Sequence, residues 1–159
     1  MYAAFYGHKR LAVALLQRGA SINLQSNKGS TALMYAAFSG HERVVELLVR
    51  GGAEIDQQDN AGYTALMFAA LFKDHPAALL CLLRAGADTE LHMAAGCTAL
   101  QIAKGHGSAK CVRAFGEHAA AVAAAEAAAE AVAKEAAWAA EAAERAAERA
   151  AAEAEAARH

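Results

Sequence analysis

The sequence predicts an all-α protein: a solenoid of about four stacked helix–turn–helix units, followed by a long C-terminal helix. Three observations carry that prediction. A segment of about nine residues recurs at intervals of 33 and then 34 residues. Between recurrences, apolar residues fall at the three- and four-residue spacings of a helix face. From Ala119 to Ala157 the chain is mostly alanine with glutamate and a few arginines, a composition of near-maximal helix propensity.

The recurring segment runs Gly29-Ser30-Thr31-Ala32-Leu33-Met34-Tyr35-Ala36-Ala37, then Gly62-Tyr63-Thr64-Ala65-Leu66-Met67-Phe68-Ala69-Ala70, then Gly96-Cys97-Thr98-Ala99-Leu100-Gln101-Ile102-Ala103-Lys104. Thr31, Thr64 and Thr98 stand where a side-chain oxygen can cap a helix start. The alanine pairs are small enough for neighbouring helices to approach closely. Gly7-His8 and Gly40-His41 break the first helix of a unit. Val44, Val45, Leu47 and Leu48 then mark the inner face of a second helix, which Gly52 ends with positive φ, as Gly19 and Gly86 end theirs. The ends of the second helices align as Leu15-Leu16-Gln17-Arg18-Gly19-Ala20 with Leu47-Leu48-Val49-Arg50-Gly51-Gly52-Ala53, one residue apart in loop length. In the third unit Lys73-Asp74-His75-Pro76 is a one-residue insertion, and Pro76 suits the first turn of a helix. No unit can bury its apolar faces alone, so the units must stack.

This frame over residues 1–116 resembles the ankyrin repeat. The departures are Thr-Ala-Leu-Met and Thr-Ala-Leu-Gln where the family usually has Thr-Pro-Leu-His, which removes a side-chain hydrogen bond common in the family. Met1-Tyr2-Ala3-Ala4-Phe5 aligns with Met34-Tyr35-Ala36-Ala37-Phe38, so the sequence begins inside the first helix of a unit and reads as a fragment of a longer array rather than an internal duplication.

Charge draws a boundary near residue 116. Residues 1–116 carry +3 and residues 117–159 carry −5, giving a net −2. That boundary divides the chain into a repeat stack, 1–116, with a truncated first unit, and an alanine/glutamate-rich helix, 117–159. Within the tail, Glu130 with Lys134 and Glu141 with Arg145 are favourable i,i+4 pairs. Val122, Val132 and Trp138 are spaced by ten and six, which fits no heptad seam. A solvated helix, a cap on the last repeat, weak self-association and low-complexity sequence without a role all remain open for it.

The balance of charge draws the chain to neither nucleic acid nor an anionic membrane. Cys81, Cys97 and Cys111 are odd in number and form no C-x-x-C, so they imply no disulfide framework and no zinc ribbon. Cys81, aligned with Leu47, and Cys111, aligned with Val44, read as buried; Cys97 lies in a loop. Reduced thiols and no N-terminal targeting signal point to an intracellular protein, cytoplasmic or nuclear. The seven histidines are scattered without a metal-binding spacing, His8 and His41 reading as structural. No nucleophile–base arrangement, phosphate loop or tuned carboxylate pair occurs, so no catalytic residue, cofactor or metal is expected.

The resemblance implies a non-catalytic module that binds another protein on its loop tips and concave face. Carried over residue by residue, that surface is Phe5, Tyr6, Asn27, Lys28, Ser30, Phe38, Ser39, Asn60, Ala61, Tyr63, Leu71, Phe72, Ala94, Ala95, Cys97 and His106. The Tyr63 ring is expected to point away from the core, while Phe5, Phe38 and Phe72 fit either docking or packing between repeats. The alternative is an assembly protein that oligomerises through the tail.

Overall fold

Eight helices and no strand occur among the described residues of the computed structural model, which are 1–71 and 75–156, the side chains of 154–156 excepted. The helices are α1 (Tyr2–Phe5), α2 (Lys9–Gln17), α3 (Ala32–Phe38), α4 (Glu42–Arg50), α5 (Ala65–Leu71), α6 (Pro76–Arg84), α7 (Ala99–Gly105) and α8 (Ala109–Ala156). The chain forms two units, Met1–His118 and Ala119–His159.

Helices α3, α5 and α7 each start at a threonine. The Thr31, Thr64 and Thr98 hydroxyls accept the backbone N–H three residues on, at 3.3–3.4 Å. At α3 and α7 a second side chain closes the cap. Met34 Sδ accepts the Thr31 N–H at 3.3 Å, and Gln101 Oε1 accepts the Thr98 N–H at 2.9 Å. Pro76 opens α6 at its first turn; Lys73 and Asp74 lie outside the described residues.

The first helices form one row, α1–α3–α5–α7, and the second helices pack behind it, α2 on α4 and α4 on α6. Ala36, Ala37, Ala69 and Ala70 are fully buried in the first row, where small side chains let the helices close together. One apolar core runs through the stack from Ala4 to Phe115 and includes Leu33, Leu66, Leu79, Leu82 and Cys111.

Glycine ends the helices as expected: Gly7 and Gly40 sit at φ +71°, Gly19 at +84° and Gly52 at +87°. At Gly7 the left-handed turn also makes room, because a Cβ there would lie 2.6 Å from the His41 ring. His41 in turn donates from Nε2 to the Phe5 carbonyl at 2.9 Å, tying the second repeat to the first. His41 is therefore structural. Ser108 replaces it in the fourth repeat, buried, with its hydroxyl unpartnered.

The structure corrects three details. The first two repeats run in constant register, with the matching positive-φ glycines Gly19 and Gly52 setting it. Leu15 therefore aligns with Leu48, not Leu47, and no loop-length difference exists. Leu47 is half-exposed while Val44, Val45 and Leu48 are buried. At about 100° per residue, Leu47 lies about 100° around the helix from Leu48 and falls off the face that Val44, Val45 and Leu48 share. Cys81, which occupies the Leu47 position, is half-exposed for the same reason, whereas Cys111 is buried.

In α8, Cys111, Ala114 and Phe115 belong to the core, and every residue from Ala119 to Glu153 except Ala142 is exposed. Glu130 pairs with Lys134 at 2.7 Å and Glu141 with Arg145 at 2.9 Å, each worth a few tenths of a kcal/mol on so exposed a surface. Among the described residues no helix is long and apolar enough to cross a membrane.

Candidate interaction surface

The loops between repeats are built alike. The N–H of Ser26, Asp59 and Met93 donates to the carbonyl of Ser30, Tyr63 and Cys97, at 2.9, 3.0 and 3.0 Å. Gly29, Gly62 and Gly96 turn each tip at φ of about +80°. The tips also bond to one another: the Asn60 N–H to the Lys28 carbonyl at 3.0 Å, and the Ala94 N–H to the Ala61 carbonyl at 2.9 Å. A Cβ on Gly62 would sit 2.9 Å from the Ala94 nitrogen, so glycine is what admits the next loop. Side chains brace the ladder. Asp59 Oδ1 accepts from the N–H of both Ala61 and Tyr63 at 2.9 Å, and Gln58 Nε2 donates to the Gly62 and His92 carbonyls. The Asn60 amide donates to the Asn27 carbonyl at 3.2 Å. The tips are thus pre-ordered by backbone and side-chain bonds.

Asn27, Lys28, Asn60, Ala61, Ala94 and Ala95 are exposed on these tips. Ser30 is not: it is buried at 6 %, held by Ser26 through its N–H and its carbonyl, and its side chain cannot be offered to a partner. Along the first helices Phe5, Tyr6 and His106 are exposed, and Phe38, Ser39 and Leu71 half-buried. Phe72 lies outside the described residues. Cys97 is half-buried.

Aromatic rings connect this face across three repeats. Tyr63 lies 5.3 Å from Phe68, Phe68 6.0 Å from Phe38, and Phe38 6.3 Å from Phe5. Phe5 also meets Tyr35 at 6.2 Å and Tyr6 at 5.1 Å, edge to face. Tyr63 is half-buried against the core with its ring on Phe68, rather than turned away from the core as its place in the frame suggested. Of the phenylalanines weighed between docking and packing, Phe5 and Phe38 pack between repeats, and Phe5 stays 37 % exposed. Met1, Tyr2, Phe5, Tyr6, Ser26 and Tyr35 line a groove of about 400 Å³ at one end of the run.

Sequence reasoning missed Tyr2, Tyr35 and Phe68. Their signal was present: the slot before the alanine pair is aromatic in three successive repeats. Behind this face, on the second helices, the Cys81 thiol is pushed above its usual range by burial first and then by Glu42 and Glu46, with Arg84 opposing.

A family model described as ankyrin repeats (3 copies) matches residues 1–91. No curated protein matches the chain.

Proposed function

Because the chain belongs to the ankyrin-repeat family, whose members are generally protein-interaction modules and typically non-catalytic, we propose that it binds another protein on the aromatic face of its stack. The observation that supports this reading most is the ring series Tyr63–Phe68–Phe38–Phe5, which crosses three repeats and ends at the exposed Tyr6. Large aromatic surface with few rotamers to freeze is what interface anchors are made of. The tips Asn27, Lys28, Asn60, Ala61 and Ala94 would supply the polar rim, with Ser39, Leu71, Cys97 and His106 along its margin. Rigid presentation is the whole mechanism: the ladder of loops and the packed first helices fix the surface before the partner arrives. The fold does not name that partner.

Assembly through the tail is less well supported. Val122, Val132 and Trp138 are exposed, but at about 100° per residue they point in three directions around α8 and share no seam.

Affinity capture with the full chain as bait tests the proposal. A partner retained by the parent chain should be lost with Tyr6→Ala or Tyr63→Ala and kept with Arg50→Ala, whose side chain is exposed at the end of α4. Retention by both tyrosine variants and loss with Arg50→Ala would move the site to the second helices.

A further inference from the structure

Glu42 and Glu46 on α4 and Cys81 on α6 bring three metal-ligating atoms within 4.8 Å of one another. The two carboxylates stand one turn apart on one helix. The thiol comes from the next repeat, its Sγ 3.9 Å from Glu42 Oε1. Repeat-to-repeat comparison adds a separate argument. The corresponding place between the first and second repeats holds Lys9, Val13 and Leu47, and between the third and fourth it holds Pro76, Leu80 and Ala114. Stacking therefore requires no donor atom here, and two of the three interfaces have none that could share a metal. Only between the second and third repeats do all three positions change to ligand types.

We infer that Glu42, Glu46 and Cys81 form a binding site for a divalent ion of the zinc class, joining the second repeat to the third. A sulfur donor beside two carboxylates suits borderline and soft ions such as Zn²⁺ and Cd²⁺, whereas Mg²⁺ and Ca²⁺ take oxygen alone. When the ion binds, the thiol proton leaves to solvent, the S–M bond forms, and no electron changes hands. Bonds of about 2.0–2.3 Å at tetrahedral angles put ligand atoms roughly 3.3–3.8 Å apart. Closing from 4.8 Å asks for about 1 Å of side-chain movement, within reach of staggered rotamers on partly exposed glutamates. Water completes the fourth position. The thiol lies one repeat away from the two carboxylates, which is why no local spacing in the sequence reveals the set.

The full chain, stripped with a chelator and titrated with Cd²⁺ and Zn²⁺, tests the site by calorimetry and ultraviolet absorption. The expected result is one equivalent bound, with a thiolate-to-metal charge-transfer band for Cd²⁺. Cys81→Ser and Cys81→Leu, the latter restoring the residue of the preceding repeat, should abolish the band, and far-ultraviolet circular dichroism should show that at least one of them is folded. E42Q and E46Q should each weaken Cd²⁺ by at least about tenfold, and Cys97→Ser should leave it unchanged. A band that survives both Cys81 variants, disappears with Cys97→Ser, or is indifferent to both glutamate variants overturns the site. Displacement of Cd²⁺ by equimolar Mg²⁺ overturns it too, since that is the behaviour of a plain acidic patch.

Discussion

Leu48→Ala should be among the most damaging single truncations in the stack, and Leu47→Ala beside it one of the milder. Leu48 is 3 % exposed and belongs to the continuous core. Removing three carbons forfeits about 2–2.5 kcal/mol of transfer free energy. A residual void of about 50 Å³ adds about 1.2 kcal/mol at about 24 cal/mol per Å³. Collapse will be poor, because Leu48 already borders a gap of about 60 Å³ among Ala12, Leu15, Leu16, Ile22 and Ala32. The sum is about 3.5 kcal/mol, or roughly 10–20 °C in Tm for a stack of this size. Leu47, half-exposed and off the shared face, should cost only about 1 kcal/mol. Denaturant unfolding followed by near-ultraviolet circular dichroism of the tyrosines, all four of which lie in the stack, reads both variants. A larger loss at Leu47 than at Leu48 would refute the register and the core assignment together.

Three further outcomes follow from other parts of the molecule. Gly40→Ala should cost more than Gly52→Ala in denaturant unfolding: both sit at positive φ, but a Cβ on Gly40 runs into the His75 ring while one on Gly52 meets open space. In the presence of chelator, Cys81 should be alkylated at pH 8 more slowly than an ordinary thiol, since burial and the two glutamates leave less of it as thiolate, and Glu42→Gln should speed the reaction. A chain ending at His118 should keep a cooperative unfolding transition, because the following helix is exposed through Glu153; loss of the transition would make the tail part of the repeat unit.

The threonine caps, the helix-ending glycines, Pro76 and the alanine pairs were all legible, because each is a local backbone requirement with few residue types able to meet it. The core face of α4 was read too broadly. Four apolar residues in a five-residue stretch cannot all face one way, and spacing alone did not say that Leu47 is the one left out. Ser30 and Tyr63 show the same limit at the candidate surface. They occupy equivalent positions, yet the small side chain is buried by its loop while the large one reaches across to Phe68. The aromatic series needed three dimensions, since its rings come from three successive repeats and only the stacking of those repeats brings Phe5, Phe38 and Phe68 together. The closure of the helix caps by Met34 and Gln101 was likewise invisible while histidine was the expected partner.

Site-specific photo-crosslinking tests the central claim most directly. A photoreactive phenylalanine analogue placed at Tyr63 or at Tyr6 puts the probe on the aromatic face, and the same analogue at Arg50 puts it at the end of a second helix. The full chain carrying each probe is irradiated with a captured partner, and the adducts are compared. The account predicts adducts from positions 63 and 6 and none from position 50. Adducts from position 50 alone would contradict it.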